Sequence, residues 1–515
     1  MNRNRARSGL QVVSLDMFPV NFFEPWPRAA SAFLLGALLV PGLRAQTAPA
    51  GPTLPAPPGA RVIRLNPTPG NFSEPSIALN RADPQQLVAA FQVNASAAYS
   101  RDAGNTWTIA DGTAPLDYHR SGDVSVAFDN QGRALLCYIA FDKLGTENYW
   151  AHNATRNGIF VRRSPDGGKT WEKDPAAVIA HNSDPGIPFE DKPYIVADTT
   201  QSNYAGNLYV GWTQFSLEKS IMLFSRSSDG GKSWSTPIEI STKEGLPRDD
   251  NGAVEGFTGA VGGDGTLYVV WCDISGIVLA VSKDGGQTFS RSRTIVKTGP
   301  SYFTPSNVYR GNGFPEIGVD PRTNQLYVTW ADYVNGDVDV FASTSKDRGK
   351  HWAPAVRVNN DPLHNGHDQF FQWLAVDPID GSVNIVFCDR RADHDNRKYI
   401  MVLARSTDGG ETFQNYAWST QPSDPSDIFM GDYMGIAASG GKVYGIWART
   451  ALPEEQPPPE KAETSKDQNP AVKPSEEAKG AKEGDNKAVL KMKGLLIEIG
   501  LADFSQPPAT APERR

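Results

Sequence analysis

The chain has 515 residues, 39% of them hydrophobic and 21% charged, with 48 glycines and 12 tryptophans. A net charge of −8 supplies no basic footprint for nucleic acid, and the glycine and aromatic content suits an all-β globular protein. The three cysteines, Cys137, Cys272 and Cys388, lie far apart in apolar runs, so they read as buried free thiols and not as a disulfide framework or a zinc site.

In chain order, residues 29–41, AASAFLLGALLVP, follow Arg28 and lead to the small residue Ala45. Residues 1–45 therefore read as an export-signal region, with Met17 as an alternative start, and the apolar run is too short for an ordinary transmembrane helix. This predicts a secreted, periplasmic or cell-surface protein with no stable membrane span. A Pro/Ala linker occupies 46–60, and short β runs fill 61–450. The Pro/Glu/Lys-rich stretch 451–487 lacks apolar anchors and is expected to be disordered. An apolar strip, AVLKMKGLLIEIGLADF, covers 488–504, and 505–515 form a tail.

One phrase recurs: SRDAGNTW, SPDGGKTW, SSDGGKSW, SKDGGQTF, SKDRGKHW and STDGGETF. The shared pattern is Ser-x-Asp-x-Gly-x-x-aromatic, with Asp102, Asp166, Asp229, Asp284, Asp347 and Asp408 spaced 55 to 64 residues apart. Two copies contain Gly-Lys-Thr/Ser, but the glycine that a phosphate loop needs five residues earlier is replaced by Arg163 and Arg226. The phrase has the chemistry of a turn. Ser and Asp side chains tie off backbone N–H groups, glycine permits positive φ, and the aromatic packs back on the sheet. The six aspartates are therefore assigned structural roles.

Around each turn lies a repeating meander. Seven first strands carry an acid near their start, at Glu74, Asp123, Asp191, Glu255, Glu316, Asp368 and Asp432. Each is followed by an apolar second strand such as LYVGWTQ or LYVVWCD. Four strands in about 60 residues is the size of a propeller blade. The reading is an all-β propeller of seven four-stranded blades, with six as the alternative. The seventh unit lacks its turn and last strand, so RVIRLN at 61–66 is expected to complete it and close the ring, with 488–504 as a candidate third strand.

These turns and their spacing resemble the Asp-box (BNR-repeat) sialidase superfamily over roughly 61–450. The phrases GFPEIGVDPRTNQLYVTWAD, DQFFQWLAVDPIDGSVNIVFCDRRAD and FMGDYMGIAASGGKVYGIWA are similar to a secreted bacterial sialidase-like (neuraminidase-like) subgroup. The resemblance implies a propeller with its boxes on the face opposite the active site. It also implies an exo-α-sialidase-like glycoside hydrolase acting on terminal sialic acid or a related sugar of glycans.

The meander places first-strand starts and second-strand ends on one rim. That rim gathers the seven acids, Glu190, Asp273, Asp332 and Asp389, together with Arg120, Arg310, Arg390, Arg391, Tyr118, Tyr309 and Tyr433. Sialidase chemistry uses arginines to clamp the substrate carboxylate, a tyrosine nucleophile with a carboxylate base, and a separate acid. By position, Tyr433 is the candidate nucleophile, Glu255 its base and Asp123 the acid. Arg310, Arg390 and Arg391 form the candidate clamp, with Arg120 next, and Glu316, Asp368 and Asp432 are further substrate-binding candidates. Caps on backbone N–H groups and local ion pairs are the structural alternatives for these residues. The chain departs from the family where an Arg-Ile-Pro phrase is usual, since SEPSI offers Glu74 there, and FQVNASAAY lacks the usual acid.

No cofactor is required by this reading. His364 and His367 lack a third nearby nitrogen or sulfur ligand in sequence, so no metal ligand is assigned to them. Ca²⁺ is a candidate for the ring of rim acids, since it takes several oxygen ligands. A monomer acting on a glycan or glycoconjugate is expected. The alternative is a non-catalytic propeller that binds glycan or protein through its acid-rich rim.

Overall fold

The computed structural model describes residues 54–92, 94–113, 117–419, 421–425, 428–456 and 494–506. The export-signal region and most of the Pro/Glu/Lys-rich stretch lie outside the described residues. Seven four-stranded antiparallel sheets follow one another as blades. Their innermost strands are Ser76–Leu79, Arg120–Phe128, Phe189–Ala197, Glu255–Val261, Glu316–Val319, Gln369–Val376 and Gly435–Ser439. Each packs on the next, and the seventh packs back on the first, so the ring closes. The protein is thus a seven-bladed β-propeller.

The second strands explain why the blades stack. Leu87–Phe91, Ala134–Phe141 and Val383–Asp389 are buried at every residue. A strand covered on both faces reads as a continuous apolar run, not as an alternating one. Here neighbouring blades provide the cover. Cys137, Cys272 and Cys388 sit in the second strands of blades 2, 4 and 6, buried and free.

Blade 7 is assembled from both ends of the described chain. Its order is Gly435–Ser439, Lys442–Thr450, Leu495–Asp503 and Arg61–Arg64. Arg61 pairs with Leu501 and Arg64 with Glu498. Leu496, Ile497 and Ile499 are fully buried, each contributing about 1.5–3 kcal/mol relative to exposure. Glu498 accepts hydrogen bonds from Trp447 at 3.1 Å and Arg449 at 2.6 Å, so the charge within this strand is paired. Residues 54–60 are also held on the propeller, with Ala417 N–H donating to Pro55 O at 2.9 Å and Asp503 N–H to Pro58 O at 2.8 Å.

All six Ser-x-Asp turns share one hydrogen-bond pattern. The serine hydroxyl accepts the glycine N–H four residues on, at 2.7–2.9 Å. The aspartate accepts the N–H four residues after itself, at 2.8–3.1 Å. In SPDGGKTW the Thr170 hydroxyl donates to Asp166, so this Gly-Lys-Thr closes a turn. The turns join third to fourth strands, which places them on the rim opposite the first-strand starts. Among the described residues, no helix is long and apolar enough to cross a membrane.

Candidate functional site

The strand register defines where each inner side chain points. Ser76, Ser125, Tyr194, Thr258, Glu316, Trp373 and Gly435 pair with equivalent positions of the second strands. Two residues earlier stand Glu74, Asp123, Lys192, Gly256, Phe314, Phe371 and Tyr433. In blades 2, 3, 4 and 6 this position is a β-bulge, between Gly122 and Ser125, Asp191 and Tyr194, Glu255 and Thr258, and Phe370 and Trp373. Glu74, Asp123, Lys192 and Phe371 have φ of 50°, 47°, 47° and 54° there. Non-glycine residues at positive φ are strained, and bulges re-aim side chains. The acids at first-strand starts therefore do not form one level ring. Glu74 and Asp123 occupy the bulge position, Asp191, Glu255 and Asp432 stand one residue earlier, and Glu316 lies two residues deeper.

These side chains surround a cavity of about 290 Å³ on the rim of the first-strand starts. Its lining includes Glu74, Gln92, Ser121, Asp123, Asp191, Lys192, Asp249, Glu255, Arg310 and Asp432, with Trp150, Tyr309 and Phe429. Arg310 donates through Nε to Asp432 Oδ1 at 2.8 Å, through Nη2 to Asp432 Oδ2, and through Nη1 to Asp249 Oδ2 at 2.6 Å. The Tyr302 hydroxyl lies 2.9 Å from Glu255 Oε2 and also hydrogen-bonds Asp249 Oδ1. Asp123 accepts the Lys192 N–H at 3.0 Å and the Gln92 amide at 3.4 Å. The Lys192 ammonium sits over the Tyr433 ring at 4.5 Å and the Phe314 ring at 5.2 Å.

Six carboxyl groups face two cationic side chains in this cavity. Burial pushes the Glu74 carboxyl well above the usual range, and the Asp123 and Asp432 charges push it further, against an opposing pull from Arg310. Burial and the neighbouring Asp123 and Asp249 do the same to Asp191. Burial and Asp249 raise Glu255, with Arg310 opposing. Glu74 and Asp191 each reach Asp123 within hydrogen-bonding contact. Two carboxyl groups in contact share a proton or a cation, because two bare charges repel. The arrangement is therefore suited to giving and taking protons.

Of the residues singled out from sequence, Asp123, Glu255, Arg310 and Asp432 line the cavity. Tyr433 is buried against it, but its hydroxyl donates to Val124 O at 3.3 Å; the phenol beside Glu255 is Tyr302. Burial, with Glu74 and Asp123, holds the Tyr433 phenol well above its ordinary pKa. Arg390 is wholly buried and donates to Asn396 O at 2.7 Å and Ser306 O at 2.8 Å, with Asp368 3.6 Å away. Arg391 is taken up by Asp389, Asn360 and Asn415. Arg120 opens its strand opposite Phe141 and is exposed. Asp368 accepts the Val338 N–H at 3.0 Å and the Asn396 amide at 2.7 Å. Glu316 is buried below the cavity, raised by that burial, with Lys192 opposing. So the structure brings one arginine of the four to the cavity. The other three lie elsewhere, two of them because nearer acceptors claim them.

Asp249, Tyr302, Lys192 and Gln92 escaped the sequence reading. Asp249 lies in a loop six residues before Glu255, and Tyr302 opens the short strand Tyr302–Phe303, outside the blades and eight residues before Arg310. Their one available signal was the length of those rim loops, which exceeds that of a tight turn.

No family model matches the chain, and no curated protein matches it. Among solved structures, the Hadza microbial sialidase Hz136 is 16% identical, covering 71% of this chain and 72% of its own, with a TM-score of 0.43. A PL25 ulvan lyase bound to an oligosaccharide is 10% identical, covering 75% and 93%, with a TM-score of 0.44. The α-L-arabinofuranosidase Arb93A from Fusarium graminearum is 13% identical, covering 66% and 91%, with a TM-score of 0.43. At these identities and scores, function rests on the site itself.

Proposed function

We propose that this protein is a carbohydrate-active propeller that cleaves a glycosidic bond in the rim cavity, with Glu74 as proton donor and Asp123 as its carboxylate partner. The observation that carries this is the buried Glu74 carboxyl in contact with Asp123, lining an open cavity. A carboxylic acid whose burial favours the protonated form is what leaving-group protonation needs. Trp150, Tyr309 and Phe429 around the same cavity offer apolar faces for a sugar ring, and Tyr309 is 63% exposed. The export signal read at 1–45 supports an extracellular glycan.

The reacting sugar is neutral in this reading. A sialoside carries a carboxylate, and the cavity presents it with six carboxyl groups and a single arginine whose N–H groups already serve Asp432 and Asp249. The hydrogen-bonded Tyr302–Glu255 pair favours sialoside hydrolysis as the second reading, since a tyrosine with a carboxylate base is the nucleophile that chemistry uses. A panel of fluorogenic glycosides tests both. Turnover of a neutral pentoside or hexoside that disappears in Glu74→Gln, with the fold intact, supports the first. Turnover of an α-sialoside that disappears in Tyr302→Phe establishes the second. Saturable glycan binding without turnover on any of them leaves a binding propeller.

A further inference from the structure

Asp249 and Glu255 are drawn together by one phenol, Tyr302, which hydrogen-bonds both. Asp191 reaches them from the inner strand of the neighbouring blade, and one oxygen of each of the three lies within 4.8 Å of the others. Arg310 answers Asp249, but no described basic side chain forms an ion pair with Asp191 or Glu255. Two further observations point to a ligand. Asp191 lines the cavity, and its carboxylate accepts no hydrogen bond from a described N–H or O–H group, its close polar neighbour being the Asp123 carboxyl. The Ser121 hydroxyl, more than nine-tenths buried and lining the same cavity, has no hydrogen-bond partner among the described residues.

Hard oxygen donors of this kind suit calcium. With Ca–O distances of about 2.4 Å, oxygens on opposite sides of one ion stand about 4.8 Å apart. Three oxygens no more than 4.8 Å apart lie within about 2.8 Å of a common point, so one ion reaches all three with a small inward movement of the carboxylates. We propose that Asp191, Asp249 and Glu255 form a calcium-binding site in the cavity, with the Ser121 hydroxyl and water as further oxygen ligands. The ion joins the starts of the inner strands of blades 3 and 4, where two acids otherwise face each other. This site stands independently of the glycan reading, because metal binding is read without turnover.

The test uses the full chain, stripped with a chelator and titrated with calcium chloride, followed by thermal unfolding and elemental analysis. The expected result is about one calcium per chain and a rise in Tm of about 3 °C at saturation. In Asp191→Asn both are lost, while the stripped variant unfolds no lower than the stripped wild type. If Asp191→Asn does not fold, Glu255→Gln carries the same comparison. Absence of retained calcium with no shift in wild type overturns the proposal, as does an unchanged calcium response in a folded variant. An equal response to magnesium chloride overturns the assignment to calcium.

Discussion

Arg310 grips Asp432 with two prongs, Nε on Oδ1 at 2.8 Å and Nη2 on Oδ2. Its third contact, to Asp249, makes it the tie between blade 7 and the loop ahead of blade 4. Burial alone lowers the guanidinium, but Asp432, Tyr302 and Asp249 outweigh that and hold it firmly protonated. Replacing it by methionine leaves two buried carboxylates without their cation. The expected cost is about 3 kcal/mol in urea unfolding, and lysine, lacking the planar fork, does not restore it fully. A variant as stable as wild type would mean that Arg310 serves a ligand and not the frame.

Glu74 predicts a pH dependence. Its folded-state pKa lies well above the ordinary value of 4.5, raised first by burial and then by Asp123 and Asp432. The stability it contributes is complete below the unfolded value and is lost as pH rises through the folded one. Glu74→Gln, a neutral mimic of the protonated acid, is expected to flatten this decline, so its advantage over wild type grows with pH. Unfolding free energies measured across that range decide the matter, and an unchanged slope in the variant refutes it.

The Ser-x-Asp turns predict stability effects far from the cavity. Ser227 is buried, accepts the Gly231 N–H at 2.9 Å and donates to Asp229 at 2.8 Å. Ser227→Ala leaves that N–H unsatisfied, at a cost of about 1–2 kcal/mol in urea unfolding. Burial raises the Asp229 carboxyl, but hydrogen bonds from Ser233, Ser227 and Lys232 outweigh it and hold it at about 2. Its share of stability is therefore present above 3.8 and lost as pH falls toward 2, and the alanine variant loses less there. Ligand binding at the opposite rim should not change.

Blade 7 predicts the strand on which closure depends. Ile499 is fully buried between Ile446 and Ile63 in the ladder. Ile499→Ala is expected to cost about 3 kcal/mol by the transfer and cavity terms. A chain ending before Leu495 leaves Lys442–Thr450 and Arg61–Arg64 without their common partner, and loss of cooperative unfolding is the outcome that calorimetry should register.

The blades were legible because they are written locally. Each Ser-x-Asp turn closes within eight residues, and each second strand is largely apolar because it is covered on both sides. Seven first strands set the blade count, and the unit lacking its turn pointed to Arg61–Arg64. Asp123, Glu255, Arg310 and Asp432 could be named as cavity candidates for the same reason, since meander topology alone decides which strand ends share a rim.

The sequence by itself thus determined an all-β chain, its repeat, its closure and the rim where acids gather. The turns and apolar runs are written within some tens of residues, and closure follows from counting the strands they delimit. Only the tertiary structure decided which groups meet. Asp123 stands within its strand's bulge whereas Asp191 and Glu255 stand one residue before theirs, so acids alike in sequence sit at different levels. Tyr302 comes to Glu255 across 47 residues, and Arg310 to Asp432 across 122. Arg390 and Arg391 turned away from the cavity because carbonyls and carboxylates of their own and neighbouring loops lay closer. Such choices depend on distances in the folded ring, and no local pattern records them.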